Sequence, residues 1–195
     1  MTKTTGTLIL AFLLLGLLGC GGLRYSQTSP EAKDFHPRGV VLLPADTTAF
    51  PEAKASIDRL FAEALTERKW FAEVVGGEEI GRRLEADPEL RQAVTGYLAK
   101  LGNVSFSDPD LSSKIGALTR TEAILLVRVD YWNYTTEKDK KVGKVSLTIT
   151  MIEARTGKTI WNAVHNRASD YMIMKPALPD VAGDLVREMI GYMPH

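Results

Sequence analysis

Between Glu122 and Val164 the chain carries three apolar-rich runs separated by two short polar turns, and this stretch limits the possible folds more than any other. Ala123 to Trp132 starts fully apolar and then alternates, the pattern of a strand buried first on both faces and then on one. Lys144 to Ala154 alternates throughout, with Val145, Leu147, Ile149 and Met151 on one side and Ser146, Thr148 and Thr150 on the other. Glu137 to Gly143 joins these runs as a charged hairpin loop, and Arg155-Thr156-Gly157-Lys158 turns the chain again before Thr159 to Val164. An antiparallel three-stranded meander is predicted. If Leu125, Val127 and Val129 face inward with the apolar side of the second strand, strict alternation sends Arg128, Asp130, Trp132 and Tyr134 to the opposite, polar face. Trp132 and Tyr134, with Arg128 beside them, are then the candidate partner-binding residues, because large aromatics in polar surroundings are enriched at binding hot spots. The competing expectation is that the C-terminal helix or the N-terminal stretch folds over the two rings and makes them core.

The remaining segments supply what such a sheet needs. Gly39 to Leu43, ended by Pro44, reads as a short buried strand, and Pro51 opens an amphipathic helix with Ile57, Leu60, Phe61, Ala64 and Leu65 on one side. A second short strand ends near Val75, before Gly76-Gly77. Helical segments follow over Glu78 to Asp87, Pro88 to Leu101 and Pro109 to Leu118, the last with Asp108 as its N-cap. Asp180 to Met193 closes the chain as a helix. The fold class is therefore an α/β (α+β) sandwich: a central mixed sheet, an antiparallel meander in its C-terminal half, and helices packed mainly on one face.

The N-terminal stretch predicts a location. Lys3 is followed by an uncharged run from Thr7 through Leu18 and then by Gly19 and Cys20, the only cysteine. This is the order of a secretory signal peptide over residues 1–19. Leu17-Leu18-Gly19-Cys20 resembles the bacterial lipobox, in which a diacylglycerol is attached to the thiol and the signal is removed ahead of it. The run is too short to span a bilayer, which takes about 20 residues. The resemblance implies lipidation at Cys20, and Gly21, in place of the Asp that signals retention, favours the outer membrane over the inner. Residues 20–37, broken by Gly21-Gly22, Ser29-Pro30 and His36-Pro37, are expected to be a flexible tether to a single globular domain over 38–195.

Composition narrows the function classes. Lys plus Arg and Asp plus Glu are 24 each. Such a balance gives no electrostatic footprint for nucleic acid, and membrane attachment is expected through the lipid alone. His36, His165 and His195 are scattered, no zinc-protease spacing or Gly-x-Ser-x-Gly elbow can be written, and neither metal nor cofactor is called for. Asp46, after the first strand, is the best-placed carboxylate, and loop capping accounts for it. A cross-strand ion pair accounts for Arg128 and Asp130. The expectation is a non-enzymatic protein that binds an envelope protein partner, with its oligomeric state left open. A hydrolase acting on wall or lipid material, with a converging polar cluster, and a small-ligand carrier, with an apolar cavity, are the other classes.

The order of elements, with Ile115-Gly116-Ala117-Leu118 leading into Thr121 to Val127 and Met151 to Ala154 leading into Arg155-Thr156-Gly157-Lys158-Thr159-Ile160-Trp161, resembles small lipoproteins of the curli-secretion (CsgG) and penicillin-binding-protein-activator (LpoB) superfamily. The resemblance covers Gly39 to the C-terminus and implies an α/β sandwich that acts by binding other envelope proteins. The chain departs from both namesakes. Its loops, such as Glu137 to Gly143, are too short and too charged for a hairpin of membrane-spanning strands of about 10 residues each. Its tether is also much shorter than the one that carries the synthase activator across the cell wall.

Overall fold

The computed structural model describes residues 23–104 and 107–195; the signal segment and Cys20 lie outside them. Six strands form one mixed sheet in the order β1-β6-β5-β4-β2-β3. They are β1 (Tyr25–Thr28), β2 (Gly39–Leu42), β3 (Glu73–Val75), β4 (Ala123–Glu137), β5 (Lys140–Glu153) and β6 (Thr159–Tyr171). The helices are α1 (Lys54–Arg68), α2 (Glu78–Ala86), α3 (Pro88–Val104), α4 (Pro109–Thr119) and α5 (Leu178–Ile190). The expected α/β sandwich with a C-terminal meander is the observed architecture.

Chain order explains where the helices go. β2 is parallel to both β3 and β4, so each connection between them must cross over the sheet. The first crossover, through α1, moves the chain outward from β2 to β3; the second, through α2, α3 and α4, moves it back past β2 to β4. Right-handed crossovers running in opposite directions place their helices on opposite faces. The helices, expected mainly on one face, therefore divide between two. On one face Val40, Leu42, Leu125, Val127, Leu147 and Ile149 pack with Ile57, Phe61 and Leu65 of α1 and with Val181, Leu185 and Met189 of α5. On the other, Val41, Leu43, Ile124 and Ile152 pack with Ile80, Leu90, Val94, Tyr97 and Ile115. Continuous apolar sequence in β2 and at the start of β4 follows from burial on both sides.

Close approach under α4 depends on one glycine. A Cβ on Gly116 would stand 2.7 Å from the Cβ of Ala154 and 2.8 Å from the Thr121 carbonyl, so only Gly lets the helix sit down on the end of the sheet. At the start of the same helix, Asp108 is the N-cap expected from the sequence. Its Oδ1 accepts from the backbone N–H groups of Asp110 and Leu111, each at 3.0 Å, and Lys100 of α3 donates to Oδ2.

Three further features differ from the sequence reading. The segment expected to be a tether joins the sheet: Tyr25 to Thr28 pair antiparallel with Val164 to Trp161, Ser29 N–H donates to the Ile160 carbonyl at 2.9 Å, and Trp161 Nε1 donates to Ser26 Oγ at 3.0 Å. A 3-10 turn over Pro30–Asp34 then buries Ala32. The charged loop over Glu137 to Gly143 shrinks to a two-residue turn, Lys138-Asp139, both at positive φ (47° and 65°), the geometry that matches the twist of a hairpin. Strands β4 and β5 accordingly run to that turn.

The third difference overturns the placement of the two aromatic rings. Val129 pairs with Leu147 but Tyr131 pairs with Ser146, so Asp130 is an extra residue, a β-bulge. Beyond it the alternation is reversed. Trp132 pairs with Val145 and is buried in the core at 5% exposure, and Tyr134, opposite Gly143, packs at its edge. The Tyr134 hydroxyl donates to the Pro176 carbonyl at 2.8 Å, under the segment leading into α5. Neither ring stands on the polar face, because one inserted residue exchanges the two faces of the strand.

Lys100, foremost, and then the Leu111 N–H hold the Asp108 carboxyl below its ordinary range. A folded-state value below the unfolded one contributes stability that is fully present above the ordinary aspartate range and is lost as pH falls through it toward the folded value. Asp108→Ala is expected to lower the melting temperature at neutral pH, and the gap to the parent protein should close as the pH is taken below about 4. Thermal melts of both proteins across that range check it; a gap that persists in acid would assign the loss to packing instead of charge.

Candidate functional site

The side of the meander turned away from α1 and α5 is covered by helices only near β2, and the rest of it is an open surface. Its central residues come from β4, β5 and β6 in register. Arg128 lies opposite Thr148, Thr148 opposite Val164, and Thr150 opposite both Leu126 and Asn162. The loop after β2 runs alongside: the Asp46 N–H donates to the Val127 carbonyl at 2.8 Å and the Val129 N–H to the Asp46 carbonyl at 2.9 Å. The chain before the bulge is thereby held from both sides.

Polar groups on this face satisfy one another. Arg128 Nε donates to Asp130 Oδ1 at 2.7 Å, and Thr148 Oγ1 donates to Asp130 Oδ2 at 2.6 Å. Asn162 Nδ2 donates to Thr150 Oγ1 at 2.7 Å. The Asp46 carboxylate accepts from its own loop, from the N–H of Thr48 at 3.1 Å and its hydroxyl at 2.8 Å. Both carboxyl oxygens of Asp130 are thus engaged at the bulge. Arg128 and Asp130 do not pair across strands as expected; they are neighbours on one strand, joined to the next by Thr148.

Between this polar floor and the C-terminal half of α3 lies a cleft of about 1000 Å³. Gln27, Asp46, Arg128, Thr148, Thr150 and Asn162 form its polar side, and Leu98, Leu101, Leu126 and Ile152 its apolar wall. The arrangement offers hydrogen-bonding groups on a stiff sheet beside an aliphatic rim, which suits an extended protein surface. A smaller depression of about 610 Å³ lies between residues 34–37, the end of α4 and the β5–β6 turn. Its carboxylates are engaged in the fold: Glu122 Oε2 accepts from the Gly39 N–H at 2.8 Å, and Glu153 Oε1 from Arg155 at 3.1 Å.

Of the residues singled out from sequence, Arg128 stands on the open face, while Trp132 and Tyr134 are withdrawn from it. Cys20 lies outside the described residues. Asp46 caps its loop and borders the cleft. His165 lies on the face toward α5: its Nδ1 accepts from the Arg24 N–H at 3.1 Å, and its Nε2 is 3.3 Å from Glu188 Oε1. It fastens the N-terminal stretch and α5 to β6. Sequence reasoning missed Gln27, because Tyr-Ser-Gln-Thr in β1 has no apolar alternation, and missed Leu98 and Leu101 as cleft residues, because their helical stripe reads only as core. Among the described residues no group of three or more His, Cys, Asp or Glu side chains could hold a metal ion, and no helix is long and apolar enough to cross a membrane.

No protein-family model matches the chain, and no curated protein matches it in sequence. Solved structures resemble it in fold. The PelC dodecamer from Paraburkholderia phytofirmans aligns with a TM-score of 0.52 at 16% identity, over 85% of this chain and 92% of that one. A point variant of the same PelC gives 0.51 at 16% identity, over 80% and 87%. The lipoprotein GNA1162 from Neisseria meningitidis aligns at 0.49 with 15% identity, over 80% of this chain and 99% of its own. The chain shares with PelC a fold.

If Asp130 is the hub of the polar network, the effects of removing its partners are coupled. Asp130→Ala and Thr148→Val should each destabilise the protein by about 1 kcal/mol, and the double variant by clearly less than the sum. Arg128→Ala, which removes a largely exposed partner, should cost under about 1 kcal/mol. Denaturant melts of the four proteins measure the coupling; strict additivity would mean that the network is not a unit.

Proposed function

We propose that this chain is a lipid-anchored bacterial envelope protein, carried on the outer membrane with its domain facing the periplasm, that works without catalysis as a binding or assembly module. The observation that carries the reading is the open β4–β6 face. Its polar groups are already hydrogen-bonded to one another, and an aliphatic wall stands beside them. Such a face binds by shape and by replacing water along a rigid surface, with little side-chain ordering left to oppose association. The partner is an envelope protein or a further copy of the chain. Support for self-assembly comes from PelC, which shares the fold and is a dodecamer. Kinship with the CsgG/LpoB superfamily, suggested by the turn from Arg155 to Trp161, belongs to the same reading.

The anchor and the face are tested separately. Cys20→Ala should leave an unprocessed precursor or a protein that no longer partitions with membranes; normal maturation and outer-membrane fractionation would overturn the anchor. A photoreactive residue at Thr148 or Asn162 should give protein adducts in intact cells, while the same residue at Glu67, exposed on α1, should not. Adducts at Glu67 alone, or at none of the three, would contradict the binding face.

A further inference from the structure

β6 ends at Tyr171, and the next three residues are the most exposed large apolar side chains on the described surface. Met172, Ile173 and Met174 are 89%, 97% and 85% exposed. They form a tip beside the β4–β5 turn, since Tyr171 pairs with Lys141 and the turn is Lys138-Asp139. Lys138, Lys140, Lys141 and Lys175 are exposed around the tip. Lys140 pairs with Asp170 at 2.7 Å, and Lys175 Nζ lies 4.7 Å from the centre of the Tyr134 ring. The base of the tip is rigid. Pro176 and Leu178 pass directly over Gly143, where a Cβ would stand 2.9 Å from the proline ring and 3.3 Å from Leu178. Three highly exposed apolar side chains on a close-packed base, with four lysines around them against Asp139 and Asp170, have the composition of a surface that enters a lipid interface.

The direction of the N-terminus bears on the same end of the molecule. β1 is antiparallel to β6, so reading back from Thr28 to Tyr25 runs from Trp161 to Val164, toward the tip. The described chain holds that course: the Arg24 N–H donates to His165 Nδ1, and Leu23 packs on the core. From His165 to Tyr171, β6 continues for about 20 Å at about 3.3 Å per residue. From Arg24 to Cys20 the chain reaches at most about 14 Å. Covalent reach alone thus lets Cys20 approach the level of the tip but leaves the tip farther out by about 6 Å or more, comparable to the roughly 5 to 10 Å by which apolar side chains sink into a bilayer surface.

Resting on the lipidation of Cys20 proposed above, we infer that Met172, Ile173 and Met174 insert into the same membrane leaflet as the anchor. They are a second contact that stands the domain upright, with the long axis of the meander along the membrane normal. The flanking lysines then lie at the level of the lipid phosphates. The open β4–β6 face then stands perpendicular to the membrane plane and looks sideways, toward neighbours on the same surface.

The full-length chain, matured in bacterial membranes and reconstituted in vesicles of phosphatidylethanolamine and phosphatidylglycerol, is made with a diazirine-bearing residue at position 173, or at 155 in the turn at the far end of the meander. After illumination, mass spectrometry reads two things independently: acylation of the peptide beginning at Cys20, and adducts at the diazirine. Phospholipid adducts at 173, with none at 155, are the expected result. Adducts of 173 to peptides of a second copy, no phospholipid adduct at 173, or equal lipid adducts at both positions would overturn the inference. Lipid adducts at 173 on a chain whose Cys20 carries no acyl group would leave the tip standing and remove the anchor; an acylated Cys20 without lipid adducts at 173 would do the reverse.

Discussion

Everything distinctive about this sheet depends on the accommodation of one extra residue, Asp130. A bulge in a long antiparallel strand leaves one residue unmatched and exchanges the faces of all that follow. Here the unmatched residue is a carboxylate whose oxygens accept from Arg128 on the same strand and Thr148 on the next. The Asp46 loop, bonded to Val127 and Val129, holds the approach to the bulge from the other side. With Asp130 fixed, Trp132 falls opposite Val145 and joins the larger core, while Arg128, Thr148 and Thr150 remain together on the outer surface. Without the bulge, the Trp132 ring would meet water and polar Tyr131 and Asn133 positions would turn into the core.

The two crossovers set how much of that outer surface stays open. Because α1 and the group α2–α4 take opposite faces of the parallel half, both sides of β2 are closed and that half is a fixed core. The meander is closed on one side only, by α1 and α5, and so presents a stiff, half-wet sheet. Stiffness matters for a binding module. A partner that docks on a surface whose side chains are already hydrogen-bonded meets little opposing entropy, in contrast to one that must order loops.

Much of this was legible in the sequence, for reasons that can be traced to particular residues. Gly39 to Leu43 and Ala123 to Leu126 are apolar without interruption because both faces are buried; Val145, Leu147, Ile149 and Met151 alternate because one face is. Asp108 followed by Pro109 marked a helix start by capping chemistry alone. Three things escaped. β1 is an exposed edge strand, so Tyr25 to Thr28 have no apolar pattern to read. The bulge was invisible because Tyr131, Trp132, Asn133 and Tyr134 offer bulky rings at both parities, leaving the alternation after Val129 consistent with either face. Met172 to Met174 read only as chain leaving the sheet, since local sequence does not tell an apolar tip in water from one tucked back on the core.

The reversal of faces at Asp130 can be measured directly by the accessibility of single thiols introduced along β4. Measured against the parent chain, whose only thiol is Cys20, Arg128→Cys and Asn133→Cys should react readily with a water-soluble maleimide, while Val129→Cys and Trp132→Cys should be protected, a pattern that no unbulged strand can produce. If Trp132→Cys reacts as readily as Arg128→Cys and Asn133→Cys is protected, the strand alternates without interruption, and the account of the core and of the binding face is wrong.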